Sequence, residues 1–280
     1  MLSAEQDQYE NENRKERAMS EQHKLELIYF NLRALAESPQ MMMRYAGVEY
    51  RYEVAWDYYG KPWSEAKLEV AFGQLPVLVV NETVHIWQSG AIVRYLAKLT
   101  GTMPEDPLLA ARVDAVFEQS QELFAPLNPT VNVRIGEAHL KLKETFLSIF
   151  SGILQNFARQ LEHNDEGPFF FGSLPYYSDF SVYHHFSLAT ILQQDILNAY
   201  PSVMDFMAAV ENLSGVKEYL ASRPEIINVG TAPKLIIDGI AQPTIPLYIS
   251  YAVFCFNKIT DSSTTNIVFM SFSSFRTNCF

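Results

Sequence analysis

Few residues in this 280-residue chain have both the chemistry and the spacing to act on a ligand. Its two cysteines, Cys255 and Cys279, both lie near the C-terminal end. The body, roughly residues 23 to 240, therefore has no thiol nucleophile, no CxxC redox pair and no disulfide framework, which fits a reducing, cytoplasmic compartment. The six histidines show no metal constellation. His184 and His185 are helical neighbours and cannot point at one ion without backbone distortion. What remains is hydrogen-bond and charge chemistry. Ser89 stands where a helix begins, and a helix start offers unpaired N–H groups and about half a positive charge, which suits a carboxylate. Read alone, Ser89 is equally a helix cap. Trp63 and Lys67 lie four apart in WSEAK, so one helical turn faces them the same way. Read alone, they are a half-buried Trp and an exposed Lys. Pro76 after Leu75 can be an ordinary trans proline at a strand start, where the lost donor does not matter. Tyr29 shares the face of Leu25 and Leu27, and by itself would simply pack a strand end.

The elements that position these residues follow from periodicity. KLELIYF, residues 24–30, alternates as a half-buried strand. ALAESPQMMMRYAG is a helix closed by Gly47, with Pro39 tolerable only in its first turn. VEYRYEV is a second strand. Residues 57–72 are irregular, with one helical turn around PWSEAK. LPVLVVN and TVHIW form a hairpin about Asn81-Glu82. SGAIVRYLAKL is a helix with Ile92, Tyr95, Leu96 and Leu99 on one face. The crossover helix implies that the first two strands are parallel. From Leu108 to about residue 228 apolar positions recur at three and four, with no convincing strand, so this half is all-helical.

The organisation is then a polar extension over 1–22, expected to be disordered; a mixed α/β domain over 23–101; a Gly- and Pro-bearing linker over 102–107; a helical domain over 108–230; and a tail over 231–280. From residue 241 the tail is poor in charge and rich in Ser, Thr, Phe and Tyr. It is either non-native sequence or a surface-adhering segment, and nothing caps or patterns it as an element. No apolar run reaches the ~18 residues of a membrane span, and the N-terminus lacks the apolar region of a signal peptide. A net charge of −11 argues against nucleic acid as a partner. Any anionic ligand must then be held by local groups.

These segments carry a signature. YFNLRALAE at 29–37, FGQLPVL at 72–78, WQSGAIVRYLAK at 87–98, VDAVFEQSQELF at 113–124 and YSDFSV at 177–182 resemble, in order and spacing, motifs of the cytosolic glutathione S-transferases. Tyr-Phe-Asn at the strand end is most similar to the sigma class, which includes prostaglandin-isomerising members. The resemblance covers residues 24–228. It implies a thioredoxin-like N-terminal domain followed by an all-helical C-terminal domain, a homodimer, and glutathione as co-substrate for attack on small hydrophobic electrophiles.

By that resemblance Tyr29 is catalytic, and its hydroxyl donates to the glutathione sulfur. A free thiol of pKa ~8.5 is only ~3% thiolate at pH 7, so a donor that favours the charged form is what the chemistry needs. Gln88 and Ser89 would hold the γ-glutamyl carboxylate. Leu75, before a cis Pro76, would pair with the cysteinyl backbone as an added strand does. Trp63 and Lys67 would face the glycine end, with Gln74 beside them. Glu122 would reach the glutathione amino group of a partner subunit. Two departures stand out. Leu35 replaces the second Arg of the family's Arg-Gly-Arg, which helps polarise the Tyr. Tyr176 replaces a Ser or Thr cap three residues before the buried, structural Asp179. The first departure supports an alternative: a binding or structural protein on the same fold, crystallin-like or ligandin-like, with little catalysis.

Overall fold

The computed structural model describes residues 23–164 and 166–224, and the backbone of 236–237 and 240–241. The N-terminal extension and almost all of the tail lie outside them.

β1 (Leu25–Tyr29) is the inner strand of a four-stranded sheet ordered β2-β1-β3-β4. It pairs in parallel with β2 (Arg51–Val54) and antiparallel with β3 (Val77–Val80), and β3 pairs antiparallel with β4 (Val84–Trp87). The alternation of Lys24 and Glu26 suggested a half-buried β1. Instead all five residues are buried, Glu26 included. The helix Ala55–Tyr59 packs against β1, and the Glu26 carboxylate accepts from Arg51 at 3.1 Å. Asn81 and Glu82 both have positive φ (51° and 64°), the conformation that the tight turn between β3 and β4 requires.

The crossover from β1 to β2 is α1 (Glu37–Tyr45), with Pro39 in its first turn. After β2 come α2 (Ala55–Tyr59) and α3 (Trp63–Ala66), so the segment from 57 is more helical than its sequence suggests. α4 (Ser89–Leu99) buries Ile92, Val93, Leu96 and Ala97.

The helical half is α5 (Pro107–Asn128), α6 (Gly136–Glu162), α7 (Tyr177–Leu192), α8 (Pro201–Glu211) and α9 (Val216–Ser222). Asp106 caps α5, accepting from the Leu109 N–H at 2.7 Å, with Pro107 at the first helical position. α7 is the central helix. Its buried set runs almost all the way round, from Tyr177 to Leu192, as expected of a helix enclosed by others.

The two halves are pinned across their boundary. Arg94 of α4 donates to Asp114 of α5 at 2.8 Å and also pairs with Glu118, while Tyr177 of α7 donates to the same Asp114 at 2.7 Å. The lost cap at Tyr176 is met in part by Asp179. Its carboxylate, fully buried, accepts from the N–H of Tyr176 at 2.8 Å and of Phe170 at 3.1 Å. Ser178 does not substitute for the cap: its hydroxyl is buried without a partner.

Candidate functional site

Tyr29 ends β1 with its ring buried. Its neighbour Phe30 packs on it with ring centroids 5.6 Å apart, and Trp63 meets Phe30 edge-on at 5.5 Å. These three rings connect the end of β1 to α3. Burial pushes the Tyr29 phenol well above its ordinary value of 10, and the backbone N–H of Leu35 pulls it part of the way back. The hydroxyl is therefore a proton donor at any ordinary pH.

The loop after Tyr29 is held from two distant segments. Tyr52 on β2 donates to the Phe30 carbonyl at 2.5 Å, and Asn132 donates to the Arg33 carbonyl at 2.9 Å. Asn132 lies in the π-helical turn Pro129–Val133 that ends α5. Sequence reading missed both residues, because no local pattern marks a side chain whose role is to hold a loop 22 or 99 residues away.

Lys67 terminates α3 and is part-exposed. Its carbonyl lies 3.4 Å from where a side chain on Gly73 would begin, and Gly73 itself has φ +58°. The turn before Gln74 therefore passes close to the Lys67 backbone. Gln74 in turn accepts from the Gln88 side chain at 3.0 Å, which ties the turn before β3 to the start of α4.

Leu75–Pro76 is cis. Among the described residues, no hydrogen bond uses the N–H or C=O of Leu75. The helix cap expected at Ser89 is not there: Gln88, at φ 69°, occupies the N-cap position and Ser89 is the first helical residue. Gln88 makes no side-chain cap bond, so the first N–H groups of α4 are unclaimed by the cap.

Of the predicted residues, Tyr29 and Trp63 are bridged by Phe30, Lys67 is tied to Trp63 by its backbone N–H at 3.0 Å, and Gln74 is tied to Gln88 at 3.0 Å, with Leu75, Pro76 and Ser89 next to that pair in the chain. Glu122 is exposed on α5, accepts from Gln119 at 3.1 Å, and no described bond ties it to the others. His184 and His185 are buried in α7, and no group of three or more His, Cys, Asp or Glu that could hold a metal exists among the described residues.

A four-stranded thioredoxin-like sheet with its helices, followed by a helical bundle, is the class of fold this chain adopts. Comparison with known proteins then gives the family. Residues 25–98 match the glutathione S-transferase N-terminal domain model, and residues 134–223 match the C-terminal domain model. The chain is 30% identical over 209 residues to a hematopoietic prostaglandin D synthase of Gallus gallus, spanning 71% of this chain and 96% of the relative. It is 29% identical over 205 residues to a probable glutathione S-transferase 6 of Caenorhabditis elegans, with the same coverage. Among solved structures, the Pi-class glutathione S-transferase of Onchocerca volvulus superposes with a TM-score of 0.64 at 26% identity, covering 71% of this chain and 93% of that one. The chain belongs to the cytosolic glutathione S-transferase family, enzymes that use glutathione as co-substrate.

Proposed function

We propose that this enzyme activates glutathione through the Tyr29 hydroxyl, for attack of the thiolate on small hydrophobic electrophiles. The observation that carries the reading is Tyr29 itself: a buried phenol, kept protonated, whose ring chain leads to Trp63. A donor that cannot ionise favours the charged form of a sulfur next to it. The attacking atom is the substrate's own sulfur, so a body without cysteine is no obstacle.

Glutathione then lies along the predicted residues. Gln88, Ser89 and the free N–H groups of α4 take the γ-glutamyl carboxylate. The Leu75 N–H and C=O pair with the cysteinyl backbone. Trp63, Lys67 and Gln74 take the glycine end. The Tyr-Phe-Asn strand end and the likeness to the chicken prostaglandin D synthase support a sigma-like placement, although relatives named as Mu and P transferases stand close by. A homodimer is supported by Phe72 and Leu68, large apolar side chains 72% and 82% exposed. In that assembly Glu122 is offered to the amino group of the partner's glutathione. The rate of glutathione conjugation to chlorodinitrobenzene, in wild type and Tyr29→Phe, tests the reading: turnover unchanged by the substitution would overturn it.

A further inference from the structure

The loop between β1 and α1 has little structure of its own. Inside it the Leu32 N–H donates to the Phe30 carbonyl at 2.8 Å, and the Glu37 N–H donates to the Ala34 carbonyl at 3.1 Å. The second bond closes a turn from Ala34 to Glu37, and Leu35 lies within it. Leu35 is the residue whose backbone acts on the Tyr29 phenol, against the effect of burial. Where this turn sits therefore bears on Tyr29.

Both ends of the turn are held by one stretch of chain from the far end of the helical half. Just ahead of it, Arg33 donates to the Pro224 carbonyl. At its close, the Glu37 carboxylate accepts from Arg223 at 2.6 Å on one oxygen and from the Tyr219 hydroxyl at 3.0 Å on the other. Tyr219 lies in α9, and Arg223 and Pro224 follow that helix directly. Asn132 also holds the Arg33 carbonyl, at 2.9 Å, but it does not reach the Glu37 end.

The ion pair is built into the interior: the Glu37 side chain is 2% exposed and that of Arg223 14%. Burying two charges costs about as much as their attraction returns, so such a pair adds little net stability. What it adds is geometry. Charge-assisted bonds are short and directional, and here they converge on the residue that closes the turn.

We propose, on the reading that Tyr29 activates the glutathione thiol, that Arg223 and Tyr219 are positioning residues for the transfer reaction. They hold the turn that carries Leu35, and through it the orientation of the Tyr29 hydroxyl toward the sulfur. The helical half thereby takes part in thiol activation without touching the thiol. The residues offered to glutathione are carried by α3, the cis-proline turn and α4, so its binding is left alone.

The test is the pH–rate profile of chlorodinitrobenzene conjugation by the full-length protein: wild type, Tyr219→Phe, Arg223→Gln, Arg223→Lys, Tyr29→Phe, and Tyr29→Phe combined with Arg223→Gln. In Arg223→Gln kcat is expected to fall about fivefold, one hydrogen bond's worth, and the acid limb to move up by about 0.7 unit, with the glutathione KM unchanged. Arg223 uses a single nitrogen on Glu37, so Arg223→Lys should restore both values. Added to Tyr29→Phe, Arg223→Gln should move the limb no further. A limb that stays in place in a folded Arg223→Gln, or one that moves equally in the Tyr29→Phe background, would overturn the proposal. If Arg223→Gln does not fold, Tyr219→Phe, which loses one hydroxyl, decides in the same way. An unmoved limb in Tyr29→Phe would overturn the Tyr29 reading and this proposal with it. A limb moved in Tyr29→Phe but not in the Arg223 and Tyr219 variants would overturn this proposal alone.

Discussion

Burial and the backbone of Leu35 act on the Tyr29 phenol in opposite directions, burial raising its pKa more than Leu35 lowers it. Position 35 is where the sequence resemblance implies a polarising Arg, and Leu35 can act on Tyr29 only through its main chain. The expected consequence is that Leu35→Ala keeps most of the conjugation activity, while Leu35→Pro, which removes the N–H, loses much of it. Steady-state conjugation rates at saturating glutathione check this. A collapse in Leu35→Ala would show that the side chain, and not the backbone, is what matters.

Tyr29→Phe removes the hydroxyl but keeps the ring that packs on Phe30. If the hydroxyl lowers the glutathione thiol pKa by ~2 units, its differential stabilisation is about 2.7 kcal/mol, and kcat/KM falls about 100-fold. Glutathione affinity should stay nearly the same. Because burial holds the phenol far above its ordinary range, Tyr29 does not titrate in an assay window. The acid limb of the pH–rate profile therefore reports the bound thiol, and it should move upward by ~2 units in the variant. A limb that stays in place would assign thiol activation to another group.

At the other end of the bound tripeptide, Lys67→Ala is expected to raise the glutathione KM about tenfold with little change in kcat. A charge-assisted contact to a part-exposed Lys is worth about 1.4 kcal/mol, and it acts equally on the ground and transition states. The effect should shrink as ionic strength rises, since salt screens exposed charges. A fall in kcat with KM unchanged would instead place Lys67 near the reacting atoms.

The legible parts of the molecule were those written in local pattern. The strand of residues 25–29, the first-turn Pro39, the positive-φ turn at Asn81-Glu82 and the helix beginning at Ser89 each follow from residues within a few positions of one another. The half-buried reading of β1 failed because burial of its second face comes from an element packed on that face, the helix Ala55–Tyr59, about 30 residues away in the chain. Tyr52 and Asn132 were invisible for the same reason. The cap at Tyr176 was read correctly as lost. Its partial replacement, two backbone N–H groups meeting on Asp179, depends on Phe170 folding back and has no sequence signal.

Folding stability should depend on pH through three buried groups of opposite sign. Burial drives His185 down to about 3 and His184 well below 6.5. As pH falls below 6.5, the unfolded chain takes up protons that the folded chain refuses, so stability is lost at about 1.4 kcal/mol per pH unit for each histidine. Asp179 is raised by burial to about 7. Its penalty is fully present above pH 7 and is relieved as pH falls toward 3.8, which offsets one histidine. Urea unfolding between pH 6.5 and 4 should therefore show a net loss of about 1.4 kcal/mol per unit from these three groups. Asp179→Asn should be steeper by about the same amount, and His185→Leu flatter. Parallel profiles for wild type and Asp179→Asn would mean that Asp179 stays ionised when folded.

Phe72 is the last point of leverage. It sits at φ 64°, a conformation unfavourable for a bulky residue by about 1 kcal/mol, and exposes 72% of its surface. Strain and exposure together are expected at a side chain that docks into another molecule. If that molecule is a second copy, sedimentation of the wild type should give twice the 31.9 kDa chain mass. Phe72→Ser should weaken the dimer at least tenfold, through lost apolar burial of about 1.5–3 kcal/mol. Phe72→Gly separates the two effects. It relieves the backbone strain, so the monomer should unfold at equal or higher urea concentration, yet it should dimerise as poorly as Phe72→Ser. A dimer untouched by either change would leave Phe72 without a docking role in self-association.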